Sequence, residues 1–280
     1  MNALLLAVAD PVVALSFQFS IWKLTFTGFG IAVVMAFVIG QIVAQEEMQR
    51  RGYDPEPFGD IDIGANVGGL LGAKLYFVFV LGHHDALFSR GGFVFWGGLV
   101  GGAIGVLAVA RFKGMPLLRT VEVSAPALAA AYAVGRTGCW TVGDDYGRPW
   151  SGPLAVQFPE GAPPSTAGNM AADFGVQFPP GTSPDTLIAV HPTQLYEVGM
   201  ALVMFAIIWR LRKHQQREGW LFGVYLMLAG IERFVVEFFR VKDDHLALGL
   251  TIAQVIALVS LTMGVVWLTT MRQRRLVVGA

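Results

Sequence analysis

Arginines and carboxylates are scarce in this chain, and the few that interrupt its apolar stretches recur at spacings suited to chemistry. In "ERFVVEFFR" (232–240), Arg233 and Glu237 stand four apart and share a helix face, which Arg240 extends toward the water. Arg233 would lie about 10 Å below the end of such a span at 1.5 Å per residue. An arginine at that depth either pairs with Glu237 as structural glue or presents its planar fork to a phosphate. "GRTGCWTVGDDYGRPW" (135–150) packs Arg136, Arg148, the adjacent Asp144 and Asp145 and the single cysteine, Cys139, into one polar stretch. "HPTQLYE" (191–197) brings His191, Tyr196 and Glu197, with Pro192 suited to the first turn of a helix. "GGFVFWGG" (91–98) includes Gly97 and Gly98 at the start of an apolar run, where free backbone N–H groups could hold an anion.

Each residue also has a plainer explanation. His191 and Tyr196 suit a membrane–water interface as anchors, and the glycines permit close helix packing. Cys139 is read as a small buried side chain, because Arg136 is close in sequence but no histidine is. Asp144 and Asp145 are candidate general bases or loop formers; without further clustered carboxylates they make a poor metal site, and no metal is expected. Glu197, one turn into a span, is harder to explain as decoration.

The elements that must position these residues are membrane helices. The chain has 280 residues, 54% hydrophobic and 14% charged, against roughly 25% charged in soluble domains. That shortfall implies that most of it faces lipid. The net charge is zero, which gives no sign of nucleic acid or of a strongly acidic partner. A single cysteine excludes an internal disulfide framework. The opening "MNALLLAVADPVVALSF" lacks a basic start, so we read it as a mature N-terminus lying along the membrane rather than a cleavable signal.

Seven candidate spans fall at roughly 24–45, 61–82, 92–111, 118–135, 193–211, 219–240 and 249–271. The fourth is the weakest, being short, alanine-rich and interrupted by Pro126. Residues 136–192 form a long polar insert between spans four and five, expected to fold as a small extracytoplasmic cap within a single membrane domain, 1–280. Twelve Lys and Arg residues fall in the loops after spans one, three and five and in the C-terminal tail, against six on the opposite side. The side richer in basic residues is cytoplasmic, which sets the N-terminus outside, the C-terminus inside, and all four polar segments at the outer leaflet. Gly64, Gly68 and Gly72, and likewise Gly97, Gly101 and Gly105, repeat at the spacing of tightly packed helices.

Taken together, "GAKLYFV" (72–78), "GGFVFWGGLVGG" (91–102), "GRTGCWTVGDDYGR" (135–148), "HPTQLYE", "ERFVVEFFR" and "GLTIAQ" (249–254) resemble the bacterial prolipoprotein diacylglyceryl transferases, from about Phe19 to Thr270. The resemblance implies an all-α, seven-span plasma-membrane enzyme with its active site on the extracytoplasmic side. It would move a diacylglyceryl group from phosphatidylglycerol to the lipobox cysteine of a prolipoprotein signal peptide. The products would be a thioether and glycerol phosphate, and no cofactor is implied. By position, Arg136 resembles the family's essential arginine, Arg233 its second arginine and Glu237 the acid one turn beyond. Asp144 falls where the family often has Glu, and Gly147 matches a family glycine. Arg240, Gly97, Gly98, His191, Tyr196 and Glu197 complete the expected phospholipid-binding set. The base is open among Asp144, Asp145, His191 and Glu237. The chain departs from the family pattern at Thr27, Lys74, Trp96, Cys139 and Ala229. The alternative is a non-catalytic or differently specific phospholipid-binding or transport protein that keeps the arginine cradle.

Overall fold

The structure, a computed structural model, describes residues 11–22, 24–87, 89, 92, 94–241 and 249–271. Lys23, Arg90, Lys242 and the C-terminal Arg272, Arg274 and Arg275, all used in the charge count above, lie outside the described residues. So does Gly91 in the glycine-rich opening of the third span.

Among the described residues, eight α-helices build the fold. They are α1 (Gly28–Arg50), α2 (Glu56–Leu75), α3 (Phe95–Phe112), α4 (Leu117–Val142), the short α5 (Ala167–Phe174), α6 (Thr193–Leu211), α7 (Trp220–Val236) and α8 (Ile252–Met271). A π-helical segment, Tyr76–Val80, prolongs α2. Among the described residues, five helices are long and apolar enough to cross a membrane: α1, α2 with its π segment, α4, α6 and α8. The chain is thus a multi-pass helical membrane protein. The apolar α3 and α7, of 18 and 17 residues, coincide with the remaining two expected spans.

Large apolar side chains are exposed along α1, α2, α3, α6 and α8, which suits surfaces that face lipid. The small strands lie outside the bundle: β1 (Val12–Val13) pairs in parallel with β4 (Val156–Gln157), and β2 (Gln18–Ile21) pairs antiparallel with β3 (Leu24–Thr27). Thr27 then caps α1, its hydroxyl accepting from the Gly30 N–H at 3.1 Å, so the first helix begins at residue 28 rather than 24.

Three helix pairs dominate the packing: α1 on α4, α2 on α3 and α7 on α8, with α6 joined to α4 and α7. The glycine ridges explain the second pair. At Gly68 and Gly72 an added Cβ would strike the backbone carbonyls of Gly101 and Gly97, and at Gly105 that of Gly64. The two backbones touch, as the spacing predicts.

The helix that looked weakest in sequence is the hub. α4 packs on α1, α6 and α7, and Val123, Ala125, Ala127, Ala129 and Ala133 along it are buried. Its low hydropathy follows from this place: a helix surrounded by protein needs small side chains more than greasy ones. It also runs through to Val142, seven residues past the expected end, and stops at Gly143 in the left-handed conformation (φ 66°). Gly138 does not break it, because that glycine admits Phe29 and Ala32 of α1. α7, conversely, ends at Val236, before the expected 240.

Loops after the first, third and fifth expected spans meet at one end of the bundle. Arg51 reaches Glu122 (2.7 Å), Arg119 reaches Glu218 (3.2 Å), Arg50 donates to the Arg212 carbonyl (2.7 Å) and Lys113 pairs with Asp60. The polar segments 135–148, 191–197 and 232–240 meet at the other.

Candidate active site

Three elements converge on the opposite end of α4. Because α4 continues to Val142, Tyr132, Arg136 and Cys139 lie on one of its faces. Past Gly143 the chain turns back through Asp145, also left-handed at φ 57°, a conformation that Asp tolerates better than most residues. The turn is fastened on both sides. Thr193 Oγ1 donates to the Asp145 carbonyl and Gln194 Nε2 to the Asp144 carbonyl, each at 2.6 Å. The Gly147 N–H donates to the His191 carbonyl (2.9 Å), the Arg148 N–H to the Phe239 carbonyl (2.8 Å), and Gly147 forms an antiparallel bridge with Arg240. A Cβ at Gly147 would meet His191 Cβ at 2.7 Å and Thr193 Cγ2 at 2.8 Å, so only glycine fits there.

Inside this frame three arginines meet three carboxylates. Glu197 of α6, 1% exposed, takes Arg136 on Oε2, while its Oε1 lies 3.6 Å from Arg233 and 3.7 Å from Arg240. Asp145 takes Arg136 Nη1 at 3.0 Å on one oxygen and Arg240 Nη2 on the other. Glu237 holds Arg233 at 2.7 Å, and Arg240 Nε lies 3.9 Å from it. Tyr132 OH reaches Glu197 (3.4 Å) and Glu232 (3.3 Å). Such a network adds little net stability over an apolar core, but it fixes where each guanidinium points.

The satisfaction of this network is incomplete. Among the described residues, every buried side-chain polar atom that lacks a hydrogen bond belongs to it or borders it: Arg136 Nε and Nη2, Arg240 Nε, Glu197 Oε2, both Glu237 oxygens, Asp144 Oδ1 and Gln194 Oε1. Several of these atoms are in ion-pair contact without hydrogen-bond geometry. Native proteins rarely leave such groups without a reason. Three guanidinium groups tied to one another through carboxylates, two of them (Arg136 and Arg240) with buried donors that lack a hydrogen bond, suit an oxyanion.

The fold shifts the two adjacent aspartates in opposite directions. Burial pushes the Asp144 carboxyl above the usual range, and the negative Asp145 beside it adds to the rise. At Asp145 burial acts in the same sense but is overcome by Arg240 and Arg136, which hold its carboxyl well below the ordinary value. Environments that push a pair of acids apart suit one to proton transfer and the other to permanent charge. Cys139 Sγ and these two carboxylates lie within 4.8 Å of one another, but the charges of Arg136 and Arg240 at the same place disfavour a cation.

Of the residues expected from sequence, Arg136, Arg233, Arg240, Glu197 and Glu237 form the cluster, and Asp144 and Gly147 lie in the turn beside it. Arg240 is a correction. It is 5% exposed, beyond the end of α7, and the bridge to Gly147 turns it inward instead of toward water. His191 and Tyr196 adjoin the cluster but bond each other at 3.1 Å, with His191 stacked on Trp150 and both rings against Phe239. Burial lowers the His191 pKa and favours its neutral form. Gly97 and Gly98 face Gly72, Tyr76, Ala73 and Gly69 of the α2–π segment, and none of these neighbours is a member of the cluster. Sequence reading did not single out Asp145 over Asp144. Only the fold shows which of two adjacent side chains faces the arginines. Tyr132 also escaped it; its spacing of four from Arg136 on one helix was the available signal.

Between α6 and α7 runs an apolar furrow of about 230 Å³, lined by Gly199, Met200, Val203, Met204, Ile207, Leu228 and Ile231, with Glu232 at its polar edge. Glu232 precedes Arg233 in the chain and touches Tyr132. An apolar furrow with one polar edge thus lies next to the basic cluster.

The comparisons with known proteins identify the class more narrowly. The sequence model for "Prolipoprotein diacylglyceryl transferase" matches residues 16–270, and the chain belongs to that family of transferases. It is similar to phosphatidylglycerol–prolipoprotein diacylglyceryl transferases of Clostridium tetani (28% identity over 88% of this chain and 94% of the relative), Corynebacterium diphtheriae (28%; 88% and 89%) and Trichormus variabilis (28%; 91% and 89%).

Proposed function

We propose that the chain transfers the diacylglyceryl group of phosphatidylglycerol to the lipobox cysteine thiol of a prolipoprotein, on the extracytoplasmic face of a bacterial plasma membrane. Family membership supports the reaction. The observation that supports the site is the three-arginine cluster, with unsatisfied buried donors on Arg136 and Arg240, next to an apolar furrow that has Glu232 at its edge. In this reading the furrow takes acyl chain and the arginines take the phosphate.

The substrate sulfur attacks the glycerol carbon that bears the phosphate. A C–S bond forms, the C–O bond to the phosphate breaks, and the leaving glycerol phosphate carries away the electron pair. Arg136 and Arg233 stabilise the charge that develops on it. Asp144, whose pKa is raised by burial and by the neighbouring Asp145 and whose carboxylate is the more basic for it, accepts the thiol proton. Glu197 and Glu237 hold the arginines in register. All seven apolar helices cross the bilayer in this reading, and the segment between α4 and α6 caps the site from outside.

The test is transfer by purified Arg136→Ala and Arg233→Ala variants, supplied with phosphatidylglycerol and a lipobox peptide. Each should lose about 100-fold or more, the scale seen when one transition-state donor is removed, while helix content and detergent monodispersity match the parent. Near-normal transfer by either folded variant would overturn the assignment of the arginines.

A further inference from the structure

We infer that Asp145 is a positioning residue of this reaction: its carboxylate ties Arg136 to Arg240 and sets both guanidinium groups for the phosphate. The inference rests on the transferase reading above and concerns a side chain that touches arginines rather than reacting atoms.

Four observations carry it. Asp145 uses one oxygen for each arginine, Oδ2 for Arg136 and Oδ1 for Arg240. Those two arginines also share Glu197, so Asp145, Arg136, Glu197 and Arg240 close a ring of alternating charge. The ring joins segments far apart in the chain, α4, the turn after it, α6 and the residues after α7. Finally, the Asp145 backbone is held in place: its carbonyl accepts from Thr193 at 2.6 Å, and its φ of 57° is set by a turn fastened on both flanks.

That last point separates two roles for the carboxylate. An acidic side chain that merely occupies the phosphate's place until lipid arrives must swing away, and a free backbone would help it do so. Asp145 has instead an anchored backbone and divides its oxygens between two cations. Removing its charge should therefore disturb orientation in the transition state more than affinity in the ground state, and misplaced catalytic groups cost rate steeply.

The experiment compares the full-length parent, Asp145→Asn, Asp145→Glu, Arg240→Gln and the Asp145→Asn/Arg240→Gln pair. Transfer from phosphatidylglycerol vesicles to a lipobox peptide is followed, with kcat and KM measured well below each variant's unfolding midpoint. Asp145→Asn should lower kcat by about tenfold or more while KM for phosphatidylglycerol stays within about twofold. Asp145→Glu, which keeps the charge, should recover part of the loss. The double variant should lose little more than the worse single one, because both break the same contact. An unchanged kcat in Asp145→Asn, a fall in KM without a fall in kcat, or fully additive losses would overturn the inference and leave the transferase reading standing. A parent protein without transfer would overturn both.

Discussion

Asp144 and Asp145 are identical in covalent structure and adjacent in the chain, yet the fold gives them opposite tasks. Asp145 faces two guanidinium groups and stays ionised; Asp144 is buried beside a negative neighbour and resists ionisation. The consequence for stability can be signed. A depressed carboxyl stabilises the fold above its unfolded pKa, about 3.9 for aspartate, and loses that contribution as the pH falls toward its folded value. A raised carboxyl does the reverse: it favours the fold when protonated, and its contribution is lost as the pH rises through its folded value. At neutral pH, Asp145→Asn should therefore lower the thermal midpoint in detergent, and Asp144→Asn should leave it unchanged or raise it. The deficit of Asp145→Asn should shrink below about pH 4. Thermal unfolding of both variants across that range checks the signs, and a deficit of Asp145→Asn that is the same at acid and neutral pH would contradict the pairing.

Among the elements, the α2–α3 pair makes the sharpest demand. Gly68 and Gly101 each stand against the other's backbone carbonyl, which cannot yield as a flexible side chain would. Gly68→Ala should cost about 1–3 kcal/mol by overpacking. Gly199→Ala on α6, where nothing lies within 4 Å of the new Cβ, should cost nothing and serves as the control in the same thermal unfolding series. This packing was legible in the sequence, because a four-residue glycine repeat has one geometric meaning on a helix. So was the gathering of Arg136, Glu197, Arg233 and Glu237, because ionisable residues in apolar helices have few places to go. The ends of α4 and α7 were not legible. The fourth span was expected to end near residue 135, whereas α4 runs on past Gly138, a contact with α1, to Val142; Arg240 looked like the next turn of a helix, whereas its strand-like bridge to Gly147 is a long-range pairing that no local pattern encodes. The choice between Asp144 and Asp145 is likewise made by the direction of a loop, which has no period to read.

At the scale of the whole molecule, α4 carries an ionic centre near each end. At the end opposite the arginine cluster, fully buried Glu122 accepts Arg51 (2.7 Å) and His214 (2.6 Å) on one oxygen, and on the other the Gly219 and Leu221 N–H groups at the start of α7 (2.8 and 3.0 Å). One carboxylate thereby clamps α1, the segment after α6 and the N-terminus of α7 to α4. Arg136 lies about 21 Å farther along the same helix at 1.5 Å per residue. Glu122→Ala should destabilise the fold by about 3–5 kcal/mol, since it leaves buried partners uncompensated, and a thermal midpoint close to that of the parent would show that the clamp is dispensable. A helix braced at one end presents its arginine at the other in a fixed place, beside the furrow through which a lipid would arrive. The most direct measurement of the whole proposal is reconstitution of the full chain with phosphatidylglycerol and a lipobox peptide, read by mass spectrometry. The peptide cysteine should gain one diacylglyceryl group with stoichiometric release of glycerol phosphate. An unmodified peptide and no released glycerol phosphate, beside an active relative under the same conditions, would contradict it.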